Sequence, residues 1–346
     1  MRRISIVLLT AVLLLSLCAP SADAQTRKAG INSAAFLKVG VGARQVAIGS
    51  AVTSLTGDAT NMFWNPAGSA LKDESLQASF THNNWIAGLN QEALAVTYKL
   101  EDIGTIGIGF MTFGINGITA DRDYGYTDPL LHSQEVDVSG ASTYDYQDLL
   151  LQATYSRYIT DGLSLGASVK YINEKIDDQS ASAVAFDLGS VYNIGVLGWT
   201  IGARINNLGT DIKYYDYASP IPLTFSIGTS LTPIEGNFAS VMIALDAVKP
   251  QDGQQYYYGG TEIGFNKTFF LRAGWKFNYS WFGMIGSGID DGSTQRSPIA
   301  TSLERGSLGA GVKVPFDGYV IAFDYAYTVF SALNDVHRFS IRFAMK

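Results

Sequence analysis

From residue 75 to the C-terminus the sequence alternates bulky apolar residues with small or polar ones, and this period of two restricts the fold more than any other feature. Tyr319, Ile321, Phe323, Tyr325 and Tyr327 stand against Val320, Ala322, Asp324, Ala326 and Thr328. Leu271, Ala273, Trp275 and Phe277 stand against Arg272, Gly274, Lys276 and Asn278, and the pattern recurs through 199–206 and 223–231. A period of two marks strands with one apolar face. About fourteen such segments are read, at 75–84, 91–100, 104–114, 145–159, 162–175, 182–194, 197–207, 221–232, 238–248, 255–266, 268–279, 306–315, 318–328 and 335–344. Each is close to the ~9–11 residues that cross a bilayer as a tilted strand.

The links between segments decide between a soluble sandwich and a membrane barrel. Every second link is tight, at 101–103, 160–161, 195–196, 233–237, 266–267 and 317–318. Those between are longer, at 115–144, 176–181, 208–220, 249–254, 280–305 and 329–334. Short turns at one end and long loops at the other, with an even strand count, are the signature of an outer-membrane barrel. Composition agrees: 16% of residues are charged, against 19 Tyr and 18 Phe, where ordinary soluble domains carry ~25% charge. The formal charge of −7 leaves no basic footprint for nucleic acid. A single Cys removes disulfide frameworks and cysteine-based zinc sites. The last strand, with His337, Phe339, Ile341 and Phe343 on one face, resembles the terminal signal by which barrel-assembly machinery recognises its clients.

Residues 1–24 read as a signal peptide: Arg2-Arg3, an apolar stretch from Ile4 to Leu17, and Ala22-Asp23-Ala24 as the cleavage site. Lipid attachment at Cys18 wants small neighbours, which Leu17 and Pro20 are not. The chain is expected to be exported to the outer membrane of a Gram-negative-type cell, with the barrel occupying 75–346. Residues 25–74 differ, lacking sustained alternation and rich in small residues. Asn32 or Ser33 would cap a short helix through Lys38, 44–55 would form another, and Asp58 would cap 59–64. Asn65-Pro66 restarts the chain, with Pro66 at the first helical position. Gly40-Val41-Gly42 is not a dinucleotide loop, because Gln45 holds the third glycine position and no strand precedes it. Eight strands make a barrel that its own side chains can fill, and fourteen make a wider one. The compact segment 25–74 is therefore expected as a plug, or hatch, in the lumen.

The run Gly42-Ala43-Arg44, Ala47 to Ala51, Gly57-Asp58-Ala59 and Phe63-Trp64-Asn65-Pro66-Ala67-Gly68 resembles the N-terminal hatch of the FadL superfamily of outer-membrane barrels. More narrowly it is similar to the PorV/PorQ branch. Asp58, Trp64, Asn65, Pro66 and Gly68 carry the likeness. The superfamily implies fourteen strands around an N-terminal hatch. The PorV/PorQ branch implies a part in type IX secretion, with secretion-system proteins or secreted cargo as partners. FadL-type members imply lateral passage of hydrophobic small molecules into the surrounding outer-membrane lipid. In such barrels a kink in the third strand opens a window in the wall, which places the candidate window at Gly114, Asn116 and Gly117.

Catalytic chemistry is not expected, nor is a cofactor or a metal. His82, His132 and His337 lie on different segments, with no H-E-x-x-H and no G-x-S-x-G. Asp335 beside His337 reads as a strand rim, and Asp290-Asp291 as a solvated loop tip. Arg204, Arg272, Lys276, Lys313, Arg338 and Arg342 fall on the lumen face with Asp187, Asp246, Glu262 and Asp324, the pattern of a salt-bridged interior. Two roles stand: a secretion component of the PorV/PorQ kind, and a FadL-like transporter of hydrophobic small molecules.

Overall fold

The computed structural model describes residues 30–120, 142–253, 255–278, 304–330 and 335–346. Sixteen strands follow one another: β1 (Leu76–Asn84), β2 (Asn90–Leu100), β3 (Gly104–Thr119), β4 (Thr143–Tyr158), β5 (Leu163–Ile176), β6 (Gln179–Asn193), β7 (Thr200–Gly209), β8 (Ile212–Tyr214), β9 (Tyr217–Ser219), β10 (Thr224–Glu235), β11 (Ala239–Pro250), β12 (Tyr256–Phe265), β13 (Phe269–Asn278), β14 (Glu304–Phe316), β15 (Tyr319–Phe330) and β16 (Val336–Met345). Fourteen of them close an antiparallel barrel in chain order, and β8–β9 form a separate hairpin. The seam joins the first and last strands in continuous register, from Leu76 opposite Met345 to Asn84 opposite His337. Closure leaves no unpaired edge, as a lipid-embedded sheet requires.

The tight turns gather at one end of the barrel and the longer links at the other, and by the rule for such barrels the tight end faces the periplasm. Two expectations about the links change. The connection placed at 176–181 shrinks to Asp177-Asp178, because β6 begins at Gln179 and pairs with Ile176. Cross-strand pairing here outweighs the polar composition that suggested a loop. β3 likewise runs beyond residue 114 to Thr119, with a register shift against β4 between Ile115 and Ile118. The expected signal peptide 1–24, Cys18, His132, Asp290-Asp291 and most of the two longest loops lie outside the described residues.

The two faces of the wall differ as the alternation requires. On β1 the side chains of Gln77, Ser79, Thr81 and Asn83 are buried in the lumen while Phe80 points out. Outward-facing Ile108, Leu245, Leu308 and Phe323 are more than half exposed, which in a bilayer means contact with acyl chains. Leu245 lies near the middle of β11, where an arginine facing lipid costs about 2–4 kcal/mol. Leu245→Arg should therefore destabilise the barrel by about that amount in urea titrations in lipid vesicles. The same charge at the outer strand end, in Asn84→Arg, should cost about 1 kcal/mol or less.

Candidate functional site

Residues 30–75 run down the inside of the barrel from the long-loop mouth to the periplasmic rim. At the mouth, Ser33 N donates to Pro220 O at 3.0 Å and Ala34 N to Glu174 Oε1 at 2.8 Å, while Lys38 pairs with Asp252. At the rim, Leu71 N donates to Thr105 Oγ1 at 3.0 Å and Ser75 N to Met345 O at 2.8 Å. Between them lie a 3-10 turn at Ala35–Lys38, the helix α1 (Ala43–Ala47) and 3-10 turns at Ala59–Phe63 and Pro66–Ser69. The helix expected over 44–55 stops at Ala47, where Gly49 (φ 67°) and Ser50 (φ 65°) turn left-handed. The turn through Lys38 is preceded by Ala34 in the left-handed region and has no side-chain cap, so neither Asn32 nor Ser33 serves as one.

The motif residues hold this path together. Asp58 Oδ1 accepts Thr60 N at 3.0 Å. Trp64 Nε1 donates to Val41 O at 2.9 Å, and the Arg204 guanidinium lies 5.3 Å from its ring centroid. Asn65 Oδ1 accepts Ala67 N at 3.1 Å, while its Nδ2 donates to Thr53 O at 2.6 Å and Ser190 O at 3.2 Å. Pro66 opens the next turn. Gly68 O accepts Gly57 N at 3.0 Å, and a side chain at Gly68 would collide with Leu55 O.

The wall receives the segment on glycine. Gly166 on β5 faces Gly189 on β6, Gly202 on β7 faces Gly228 on β10, and Gly260 on β12 faces Gly274 on β13, each as a direct cross-strand pair. A methyl group at Gly166 would overlap Pro66 and Ala67, one at Gly202 the carbonyl of Thr53, and one at Gly260 the carbonyl of Ile48. Glycine costs strand stability. Here it admits main chain against main chain, an approach no other residue permits. Sequence reasoning put Gly202, Gly228 and Gly274 on the small or polar face without seeing the pairs, and did not single out Gly166, Gly189 or Gly260. Their recurrence on the inward parity of successive strands was the available signal.

Charges lock the contact. Arg44 of α1 donates to both oxygens of Glu262, at 2.8 and 2.9 Å. Arg272 joins that carboxylate at 2.6 Å and reaches Asp324 at 2.7 Å. Asp246 Oδ2 accepts Val52 N at 3.0 Å, Thr53 N at 2.9 Å and Thr53 Oγ1 at 2.7 Å, so a wall carboxylate binds the segment's backbone directly. Asp58 Oδ2 takes Arg342 Nη1 at 3.1 Å. Burial opposes ionisation of Asp58, but the charges of Arg342 and Arg44 and the bonds from Thr60 outweigh it and hold the carboxyl below its usual range.

Nearer the mouth, on the β3–β6 side, the interior turns apolar. Phe36 and Val41 of the segment pack with Met111, Phe113, Leu150 and Ile172 of the wall. A cavity of about 50 Å³ beside the segment is lined by Val39, Val41, Trp64, Met111 and Leu150. A second space, an open cleft of about 400 Å³, lies at β2–β4 between Glu92, Thr112, Phe113, Gly114, Asn116 and Tyr146. It contains two of the three candidate window residues. Gly114 is paired with Asn90 and Gln147, and a side chain there would strike Tyr146 O. Asn116 and Gly117 (φ 73°) form the bulge that breaks register with β4. The glycines earlier in β3 serve the segment instead, with Gly107 and Gly109 facing Met62 and Phe63. His337 and Asp335 do not meet as a dyad, since His337 bonds Tyr325 and Asp335 accepts the Tyr327 hydroxyl.

Gly260→Ala should displace the segment from the wall. Proteolysis of 30–75 should accelerate in the detergent-solubilised barrel and ion conductance in planar bilayers should rise. Gly259→Ala, which points outward onto the Leu245 and Phe277 side chains, should change neither. Asp58→Ala removes a cap and leaves Arg342 without its partner, a loss of about 3 kcal/mol in the segment's docking. Because the folded-state pKa of Asp58 is lowered, its contribution is complete above the ordinary carboxylate pKa of ~3.9 and is lost as pH falls through the lower value. Conductance carried by this latch should stay flat from pH 7 to about pH 4 and rise only below it.

Solved structures share this architecture. The toluene transporter TbuX of Ralstonia pickettii superposes with a TM-score of 0.54 at 14% identity, covering 89% of this chain and 98% of its own. The deltaS2 mutant of the TodX monoaromatic hydrocarbon channel gives 0.56 at 14% identity, covering 89% and 99%. TodX is a toluene transporter of Pseudomonas putida, and its deltaS2S3 mutant gives 0.57 at 12% identity, covering 88% and 99%. At such identity the likeness is one of fold alone. No curated protein matches the sequence. Residues 12–190 match the profile of UPF0164, described as an uncharacterised protein family. That match takes in more than half of the 346 residues, and the chain belongs to the UPF0164 family.

Proposed function

We propose that the chain is an outer-membrane transporter that delivers hydrophobic small molecules sideways through its wall into the lipid, with residues 30–75 as the hatch that keeps the lumen shut to the periplasm. The observation that carries this reading is a row of aromatic contacts from the hatch to β4, joining an inner cavity that Lys38 and Lys170 also line to the cleft at the bulge. Phe36 of the hatch stacks on Phe113 of β3 with centroids 6.5 Å apart, and Phe113 meets Tyr146 of β4 edge-on at 6.5 Å. Met111 and Leu150 of the same cluster line the inner cavity, while Phe113 and Tyr146 line the cleft at the bulge. A hydrophobic molecule leaving the mouth for the bilayer therefore need not enter water. The glycine bed and ionic latches close the direct route, so the side of the barrel is the exit of lower cost. The bulge at Asn116-Gly117 is the window, and Phe113 stands between it and the lumen.

TbuX and TodX, described as toluene transporter and monoaromatic hydrocarbon channel, share the fold and suggest small aromatic or aliphatic hydrocarbons as cargo. The inner cavity of about 50 Å³ is well below the ~150 Å³ of a cavity that takes benzene. Passage thus requires Phe113 or the 36–41 stretch to move.

Uptake of N-phenylnaphthylamine by cells carrying the barrel tests the route. Thr112→Trp, which fills the cleft from the outer face without touching the hatch, should reduce uptake to the level of cells lacking the protein. Phe113→Ala should raise it. The secretion role implied by the PorV/PorQ resemblance predicts the reverse pattern: co-purifying proteins lost in Thr112→Trp, with uptake absent from the start.

A further inference from the structure

Four basic residues are buried among the described residues: Lys170, Arg204, Arg272 and Arg338. Lys170 has Asp187 at 2.6 Å, Arg272 has Glu262 and Asp324, and Arg204 covers the Trp64 ring. Arg338, near the outer end of β16, is 1% exposed. Its Nε and Nη1 are buried without any hydrogen-bond partner. Glu304, an acid of the same outer wall, attracts the Arg338 charge and bonds Lys276 at 2.5 Å, but it does not reach Arg338 Nε or Nη1. A buried guanidinium with unmet donors costs far more than a paired one.

Register places its neighbours. Asn83 of β1 and Ala326 of β15 sit directly opposite Arg338, and Thr328 is the next inward residue along β15. Asn83 and Thr328 are 0% and 1% exposed, and each also has an unpartnered atom, Oδ1 and Oγ1 respectively. Asn83 Nδ2 is already committed to Gln91. Below, Ala43 and Ala47 of α1 pack on Ala326, and Ser340 accepts Ala43 N at 2.8 Å. Above, Trp85 and Phe330 meet edge-on at 5.3 Å. Unmet donors on two adjacent strands therefore share the inward face between Trp85–Phe330 and the hatch.

We infer that Arg338 and Thr328 form a binding site for a small singly charged anion, a halide or a carboxylate, in the outer lumen. The anion accepts from Arg338 Nε and Nη1 and from the Thr328 hydroxyl. One water that donates to the anion and to Asn83 Oδ1 then satisfies the remaining oxygen. The inference does not depend on the transport reading. A free inorganic anion and the carboxylate end of a hydrophobic ligand present the same chemistry to the site.

The full chain in detergent, at constant ionic strength with a bulky sulfonate salt as the reference, is titrated with bromide and separately with benzoate while its unfolding midpoint is followed. Crystals soaked in sodium bromide supply anomalous maps. The site predicts a midpoint that rises with at least one of the two, and Arg338→Met should weaken that response by about tenfold or more. Thr328→Val, which keeps the shape and the arginine, should weaken it less. In the sulfonate reference Arg338→Met should be no less stable than wild type, since it removes a buried guanidinium with two unmet donors. A response to bromide with an anomalous peak at Arg338 identifies a free inorganic anion, and a response to benzoate alone identifies a ligand carboxylate. No response to either anion in the wild type, or an undiminished response in Arg338→Met, overturns the site. Loss of hydrophobic-probe uptake with the anion response intact would count against the transport reading alone.

Discussion

How closely one stretch of backbone can lie on another governs this structure. A barrel of fourteen strands encloses more space than its inward side chains can fill, and the 30–75 segment supplies the missing volume. It does so with little regular structure of its own. Its turns and its five-residue helix are too short to be stable alone. They persist because cross-strand glycine pairs let carbonyls of the segment reach the wall, and because Asp246, Glu262 and Arg342 bind it from outside. Wall and segment are thus one folding problem, since the glycines weaken the strands and the segment restores the contacts they forgo.

The filling is uneven, and that asymmetry gives the barrel its direction. Toward the periplasm the lumen is tight, hydrogen-bonded and charged, so a solute descending the axis meets main chain and ion pairs. Toward the mouth on the β3–β6 side it is aromatic and aliphatic, and it adjoins the place where β3 loses register with β4. A bulge locally interrupts pairing and re-aims side chains, so the wall is thinnest where the lumen is most apolar. The transport proposal follows from that coincidence. Arg338, on β16 a few strands from β3, adds two unmet donors to the same end of the lumen.

Much of this was legible in the residues. Alternation depends only on which face of a strand meets lipid, so it specified strand number, order and the polarity of both faces. Asp58 and Asn65-Pro66 were legible because capping is local: each side chain bonds an N–H two residues away. Less local features were misread. The stretch 44–55 looked helical by composition, yet its course after Ala47 is set by Asp246 and the glycines of β12 and β13, far away in sequence. The link at 176–181 looked like a loop, because Asp177, Asp178 and Gln179 are polar wherever they fall. Strand pairing decided that only Asp177 and Asp178 turn. The earlier glycines of β3, Gly107 and Gly109, make room for Met62 and Phe63, which are distant in sequence, while Gly114 and Gly117 border the bulge.

The sequence by itself determined that this chain closes into a barrel with lipid outside, since a period of two with an apolar face has few other stable outcomes in a chain this long. It also determined which short polar residues would end the turns of the N-terminal segment. Tertiary structure alone decided which wall glycines face each other, which carboxylate holds which arginine, and which buried donors are left unmet. Those outcomes depend on register around a closed circle of strands, where β1 meets β16 across almost the whole length of the barrel sequence. Pairing at that separation is set by closure and not by neighbours in the chain.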